Sequence, residues 1–441
     1  MSGGKGKGDR KVASSSSSSS SKSNKDSIPE VENLPAEVIS HRERRRRLFS
    51  KGSADWISHG NWKRSMFEKG LETDDEEDKW ESRNSQTPKR MEAVEEDKKR
   101  ADLNMIQMTE SAWLTVTEYR REWDELWSGC YGSFDDTTRI PPMQFTDKPV
   151  PHGLHGCAYP MDTVQVFSVK LAATRGRLQL PFDVFGMVAM RDPVDNNRNI
   201  IFQRTRDDCQ TLTIEDPYLV LTGPTRAVLF IVSNPVVIEV NLKVKGATES
   251  EDEFLGPLVM PVVCFSSMYS DMLNYAYTSK HSTLEFKLGH VISTVEATIF
   301  VRVTRGSWTD GLRGVFAAFA TGAYDGHVFL ERRITGIGHE RIVLLDSKGE
   351  KLPITGDGKI KLSRRVVSAE TTGKLIVRVK ALEGGKEVEV KEVSFDPLKA
   401  RSSFGELEFS FCKMEVTVFW SVISMFPCFE DIVESTGKSE S

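Results

Sequence analysis

The chain has 441 residues, a formal net charge of −5 and a pI near 6.0, with 39% hydrophobic and 28% charged residues. That length holds two or three domains, and the polar balance implies a core diluted by unstructured sequence. Mild acidity disfavours nucleic-acid binding, which needs a basic footprint. No apolar stretch is long enough to span a bilayer, since the longest, Val416 to Phe429, is interrupted by Pro427.

The first residues, Met1-Ser2-Gly3-Gly4-Lys5, lack the apolar centre of a secretory signal, and Gly3 stands one place late for N-myristoylation. Six cysteines (Cys130, Cys157, Cys209, Cys264, Cys412, Cys428) form no C-x-x-C pair. Free thiols in a reducing compartment are expected, so the protein is read as intracellular, in cytoplasm or nucleus.

Residues 1–90 are expected to be disordered. Residues 1–35 are low in complexity, with Ser14 to Ser21 an unbroken serine run that buries too little to offset its ordering entropy. Arg44, Arg45, Arg46 and Arg47 form a candidate nuclear-import signal or an RNA- or phosphate-binding arm, or else a solvated charge run. Asp74-Asp75-Glu76-Glu77-Asp78 follows, with Thr73 just before it in a context that acid-directed kinases favour. Six of the eight tryptophans precede residue 130. A disordered tail is poor in aromatics, so Trp56, Trp62 and Trp80 are candidate anchors for a protein partner. Trp113, Trp123 and Trp127 are expected to dock on the chain's own β domains.

Residues 91–130 predict one amphipathic helix. The stretch is rich in Glu and Lys, and Ile106, Trp113, Val116, Trp123 and Trp127 recur at helical spacing until Gly129 and Gly132 close it. Residues 131–160 form a connector with Pro141, Pro142, Pro149, Pro151 and Pro160. His152, His155 and Cys157, with Cys130, have the residue types of a zinc site, but their spacing matches no zinc module and no metal is expected.

From there the pattern is mainly β. Short apolar runs at Val164–Gly176, Val184–Met190, Ile200–Phe202, Gln210–Ile214, Tyr218–Leu221, Ala227–Val232 and Val236–Val244 are separated by turn residues. They predict an antiparallel β-sandwich over residues 161–265. A second set repeats the first in the same order. Val295–Gly306 stands for Val164–Gly176, Leu312–Ala318 for Asp183–Ala189, and Ile342–Asp346 for Ile200–Arg204. Lys359–Ser363 stands for Tyr218–Thr222 and Leu375–Ala381 for Glu239–Lys245, at offsets of about 130 to 143 residues. Further strands are expected at Lys386–Phe395 and Phe404–Trp420. The fold class is therefore mainly β: two tandem related antiparallel β-sandwiches, the second over 283–424, behind a disordered region and one helix, with a tail at 425–441.

The stretch from Thr137 to Trp420 resembles an uncharacterised family best represented in cereal plants, the domain of unknown function 6598. The carrying residues include Ile140-Pro141-Pro142-Met143, Asp183-Val184-Phe185-Gly186, Arg191-Asp192 and Arg204-Thr205-Arg206-Asp207-Asp208-Cys209. Leu221-Thr222-Gly223-Pro224-Thr225-Arg226, Lys243–Gly246, Glu249–Asp252 and Cys412–Val416 complete them; Phe230 to Pro235 departs from the family's shorter turn. The resemblance implies a module also found beside ribosome-inactivating domains, which are RNA N-glycosidases. That chemistry needs a Glu/Arg pair inside its own domain. Glu118 and Arg121 have the bare spacing on a lone helix and are read as surface charges.

No G-x-S-x-G, P-loop or H-E-x-x-H motif occurs. Gly336-Ile337-Gly338 and Gly356-Asp357-Gly358 are read as turns. Asp192, Asp195, Asp207 and Asp208 are the candidates for a C2-like calcium site, which would need them to converge at one end of a sandwich. The acidic loop Glu249–Glu253 is read as solvated. No catalytic, cofactor-binding or metal residues are assigned. The expectation is a non-enzymatic interaction protein that binds an unidentified protein partner, in a plant defence or stress setting. An RNA N-glycosidase-related accessory and a calcium-dependent lipid-binding module stand as alternatives; membrane docking and nucleic acid are disfavoured.

Overall fold

The computed structural model describes residues 106–109, 116–148, 150, 158–232, 234–262, 264, 269–322, 325, 328–329, 332–333 and 336–425. An N-terminal strand β1 (Ile106–Thr109) precedes the helix α1 (Val116–Tyr131). Then come β2 (Ala158–Tyr159), β3 (Met161–Thr174), β4 (Phe182–Arg191), β5 (Asn199–Arg204), β6 (Gln210–Leu212) and β7 (Val228–Leu229). These are followed by β8 (Val237–Val244), β9 (Glu253–Phe254), β10 (Leu258–Pro261), β11 (Asp271–Thr278) and the long β12 (Ser282–Gly306). The second half holds β13 (Arg313–Ala320), β14 (Val328–Phe329), β15 (Arg332–Arg333), β16 (Ile342–Asp346), β17 (Val366–Glu370) and β18 (Leu375–Glu383). It ends with β19 (Lys386–Phe395), β20 (Ser402–Glu408), β21 (Cys412–Ser421) and β22 (Ile423–Ser424).

The strands form because apolar and polar residues alternate, which buries one face and wets the other. In β18 and β21 every second residue is buried, and the inward set is Leu375, Val377, Val379 and Ala381 against Cys412, Met414, Val416 and Val418. Each sandwich has its own core. Ile201, Phe202, Leu212, Leu242, Leu284 and Phe286 belong to the first, and Ile299, Phe316, Leu344, Val377, Val416 and Trp420 to the second.

The duplication holds in the hydrogen-bonding pattern. β4 lies between β5 and β8, and β13 lies between β16 and β18 in the same way. Lys170 bridges Tyr218 in the first copy, and Arg302 bridges Lys359 in the second. β11 pairs with the start of β12, which pairs with β3; β20 pairs with β21, which pairs with the end of β12. Tyr218–Leu221 and Lys359–Ser363, expected as strands, form only isolated bridges, the second also through Ile360 to Ile354.

β12 belongs to both copies. Its 25 residues have an extended contour of about 80 Å. Its first half closes the first sandwich against β3, and its second half opens the second against β17 and β21. The expected boundary between 265 and 283 is therefore displaced: Tyr275, Tyr277, Leu284, Phe286 and Leu288 are buried in the first core. The strand changes sandwich at Ser293, whose φ of 47° interrupts the extended backbone.

The helix is also shorter than expected. Ile106–Thr109 is a strand paired in parallel with β11, so sheet pairing overrides local helical preference there. Trp113 lies outside the described residues. The helix runs through Gly129 and ends at Tyr131, before Gly132 takes a left-handed φ of 92°. No helix among the described residues is long and apolar enough to cross a membrane.

The proline-bearing connector straps the two copies together. Thr138 donates its N–H to the Arg198 carbonyl of the first sandwich at 2.9 Å. Seven residues on, the Phe145 N–H donates to Ser421 Oγ at 3.0 Å and Thr146 Oγ1 donates to the Trp420 carbonyl at 2.8 Å, both in the second sandwich.

Candidate functional site

Three places concentrate chemistry: a buried charge cluster under α1, the joint where β12 changes sandwich, and the open rim of the second sandwich. The charge cluster forms because α1 lays its apolar stripe over the outer face of β8 and β10. Tyr119, Trp123, Trp127, Tyr131 and Phe134 are buried there with Val237 and Val259. Trp123 Nε1 donates to the Asn196 carbonyl at 2.8 Å, and Arg191 lies over the Phe134 ring at 4.1 Å. Trp123 and Trp127 thus dock on the chain's own first sandwich.

Beneath them, Glu239 of β8 accepts from Arg191 Nε at 2.9 Å and from Arg198 Nη2 at 2.6 Å. Arg198 Nη2 also lies 2.9 Å from Asp135, which Arg120 grips through both terminal nitrogens at 2.7 and 2.8 Å. A second group centres on Arg226, which donates to Asp192 at 2.6 and 2.8 Å, to Asp195 at 3.0 Å, to Thr138 Oγ1 at 3.3 Å and to the Ala227 carbonyl at 3.0 Å. All five N–H groups of that guanidinium are used. Burial pushes the Arg226 pKa down, but Asp192 and Asp195 beside it push it up and prevail. Asp192 also accepts from the Val194 and Leu229 N–H groups at 3.0 and 2.8 Å, and Asp195 from Thr138 Oγ1 at 2.5 Å.

This arrangement answers the calcium candidates. Asp192 and Asp195 are buried and committed to Arg226. Asp207 and Asp208 sit beyond the far end of β5, where Asp208 pairs with Arg204 at 2.7 Å. The four carboxylates do not converge. The Glu249–Glu253 loop is not wholly solvated either, because Asp252 accepts from Arg206 at 3.1 Å and from the Gly246 N–H at 2.9 Å. Among the described residues no group of three or more His, Cys, Asp and Glu could hold a metal ion.

The joint holds the one buried histidine of β12. His290 is fully buried, with Nε2 3.3 Å from Asp162 and its ring edge-on to Phe230 at 4.7 Å. Asp162 also accepts the Ser293 N–H at 3.0 Å, at the residue where β12 bends. Burial pushes the His290 pKa down, but Asp162 and the Cys264 thiol outweigh it and hold it up at about 9. Around this pair, Arg364 of the second copy donates to the Val166 and Phe167 carbonyls of β3 at 2.7 and 3.2 Å, and burial pushes its pKa down to about 9. Ser368 of β17 donates its N–H to Gln165 Oε1 at 2.9 Å. Ser270 Oγ donates to Glu370 at 2.6 Å.

A pH dependence follows. His290 has a folded pKa near 9, above the ordinary 6.5, so its ion pair stabilises fully below about pH 6.5 and is lost as pH rises through about 9. Stability is expected to fall across that window by at most about 3 kcal/mol, and the His290→Gln variant to lose this dependence. Urea midpoints measured from pH 6 to 9 check it, below the range in which Arg364, held at about 9, contributes with the opposite sign; a flat wild-type profile there would refute the assignment.

The rim of the second sandwich differs from that of the first. In the first copy, the β11 edge carries β1. β10, at the end of the other sheet, has four residues, ends at Pro261 and lies partly under α1. In the second copy the corresponding strands are β20 and β19, the outermost members of their sheets among the described residues. β19 has ten residues, and its outward side chains include Val388 and Val390, 54% and 37% exposed. On β20, Phe404 is 67% exposed.

Arg44, Arg45, Arg46, Arg47, Trp56, Trp62 and Trp80 lie outside the described residues, as do His152, His155 and Cys157. Cys130 is half-buried on α1, and Glu118 and Arg121 are on its exposed face. Sequence reasoning missed the charge cluster and the rim. The alternation of Val388 and Val390 with the charged Glu387, Glu389 and Lys391 is the signal that was present for the rim.

Residues 163–418 match the model of a family described as "Domain of unknown function (DUF6598)", and the chain belongs to that family. No curated protein matches it. Similar solved structures include the two calcium-bound C2 domains of Extended-Synaptotagmin 2, at 8% identity and TM-score 0.22, covering 62% of this chain and 100% of that one. Another is human GIVD cytosolic phospholipase A2, at 7% identity and TM-score 0.19, covering 59% of this chain and 33% of that one. Likeness at that level carries no argument about function.

Proposed function

We propose that this member of the DUF6598 family is a non-enzymatic scaffold that binds a protein partner through the open rim of its second sandwich. The observation that carries this reading is the contrast between copies. One fold occurs twice, and the edge that carries β1 in the first copy is bare among the described residues in the second. An unpaired strand edge offers main-chain donors and acceptors to an incoming strand, and exposed Phe404, Val388 and Val390 add apolar contact there. Work in the cytoplasm or nucleus belongs to the same reading, supported by the cysteine usage and by the Arg44–Arg47 run.

The test is affinity capture from a plant extract with the full chain and with a full-length Val390→Glu, Phe404→Glu variant. A stoichiometric partner lost from the variant supports the rim. A partner held equally by both moves binding elsewhere. Depurination of ribosomal RNA, or calcium-dependent sedimentation with acidic liposomes, would establish one of the alternative functions instead.

A further inference from the structure

The rim reading leaves the occupant open, and the residues of β19 restrict it. The strand reads Lys386-Glu387-Val388-Glu389-Val390-Lys391-Glu392-Val393-Ser394-Phe395. Two copies of one edge strand can meet antiparallel about a two-fold axis, with residues on the same face directly opposite each other. The central residue then faces itself. Centring the axis on Glu389, Lys391 or Glu392 opposes like charges at the axis, centring it on Val388 opposes Glu387 to Glu389, and centring it on Val393 pairs only residues 391–395 before the strand ends. Centring it on Val390 opposes Val390 to Val390, Glu389 to Lys391, Val388 to Glu392, Glu387 to Val393 and Lys386 to Ser394. In that register no like charges meet, the central contact is apolar, and two Glu–Lys pairs flank it. Within a single chain Lys391 Nζ lies 3.0 Å from Glu389, so both side chains share one face of the strand, the face that carries half-buried Val393 and buried Phe395. Glu389 also accepts the Ser410 N–H and Oγ at 3.0 Å, which holds its carboxylate in place.

We infer that β19 pairs with β19 of a second copy of this chain, antiparallel and centred on Val390. This rests on the rim reading and names the first occupant of the rim. The four-stranded sheet β16-β13-β18-β19 then continues into its partner as one sheet of eight strands. The charges serve as register keys: Lys386 and Lys391 oppose slipped or open-ended stacking, as they do on guarded edges, while allowing one closed dimer. The first copy cannot offer the same surface, because β10 is four residues long and ends at Pro261.

The test is sedimentation of the full chain and two full-length variants across micromolar concentrations. Wild type is expected at twice the 49.6 kDa chain mass. Val390→Glu places two carboxylates face to face and is expected to raise the dimer dissociation constant about tenfold or more. Val388→Lys places a cation opposite Glu392 and is expected to leave the dimer intact or tighten it. If general apolar contact held the dimer, both variants would weaken it, and that result overturns the register. A monomeric wild type, or a dimer indifferent to Val390→Glu, overturns the pairing. The rim reading is judged separately: a monomeric chain whose Val390→Glu variant loses a different captured protein keeps the rim and loses the second copy. A chain in which neither property responds to Val390→Glu loses both.

Discussion

Replacing Arg226 by Met is expected to destabilise the protein by about 3–5 kcal/mol, because it strands two carboxylates inside the fold. Met has comparable length and no charge, so the cost is electrostatic rather than a packing void. Asp192 and Asp195 are each nearly inaccessible, and Arg226 is the cation that meets both. Asp192 would keep two backbone donors and Asp195 would keep Thr138, which partly offsets the loss. The Arg226→Lys variant retains charge but replaces a planar fork of five donors by three on one nitrogen, so an intermediate cost is expected. Urea denaturation measures both. A cost below about 1 kcal/mol for Arg226→Met would mean that the cluster is not the electrostatic anchor of this end of the sandwich.

The Trp123→Ala variant is expected to lose a similar amount, about 3–5 kcal/mol, for a different reason. Trp123 is 1% exposed and sits edge-on to Phe134 at 5.7 Å, with the Arg191 guanidinium 5.4 Å over its ring. Truncation opens a void between α1 and the sheet and removes the donor from the Asn196 carbonyl. That carbonyl also accepts Arg191 Nη1 at 2.9 Å, so the defect passes directly into the charge cluster. The Trp123→Phe variant keeps part of the area and loses only the indole hydrogen bond, so it should fall between. Hydrogen exchange of α1 and of β8 distinguishes two outcomes. Faster exchange in both shows that the helix belongs to the first sandwich; faster exchange in α1 alone would make it a detachable appendage.

Local alternation made the strands legible, and the order of segments made the repeat legible. Val164–Gly176 and Val295–Gly306 do begin corresponding copies, and the bridges of Lys170 to Tyr218 and Arg302 to Lys359 occupy matching places. Pairing over long distances was not legible. Nothing in the alternation of Ser282–Gly306 reveals that one strand serves two cores, because period-two patterning reports a buried face and not which sheet lies opposite. The same limit hid β11, whose Asp271–Asn274 half is only partly buried.

The helix was over-extended for a related reason. Glu- and Lys-rich sequence favours a helix locally, while Ile106–Thr109 is held by the edge of β11. At the charge cluster, Arg191-Asp192 and Arg226 were visible as residues that carry the family resemblance. Their roles were not visible, since Asp192 and Arg226 lie 34 positions apart and meet only through the fold. The rim was half legible: Lys386–Phe395 was readable as a strand, but that it ends a sheet is a property of topology.

Because β12 and the polar joint serve both cores, the two sandwiches are expected to unfold as a single cooperative unit. Hydrogen exchange at graded urea concentrations, read by mass spectrometry on peptides from β4 and β18, tests it most directly. Both strands are expected to open with the same free energy and the same urea dependence, as parts of one global transition. Opening of β18 at urea concentrations that leave β4 protected would contradict it, and would make the shared strand a tether between independent domains.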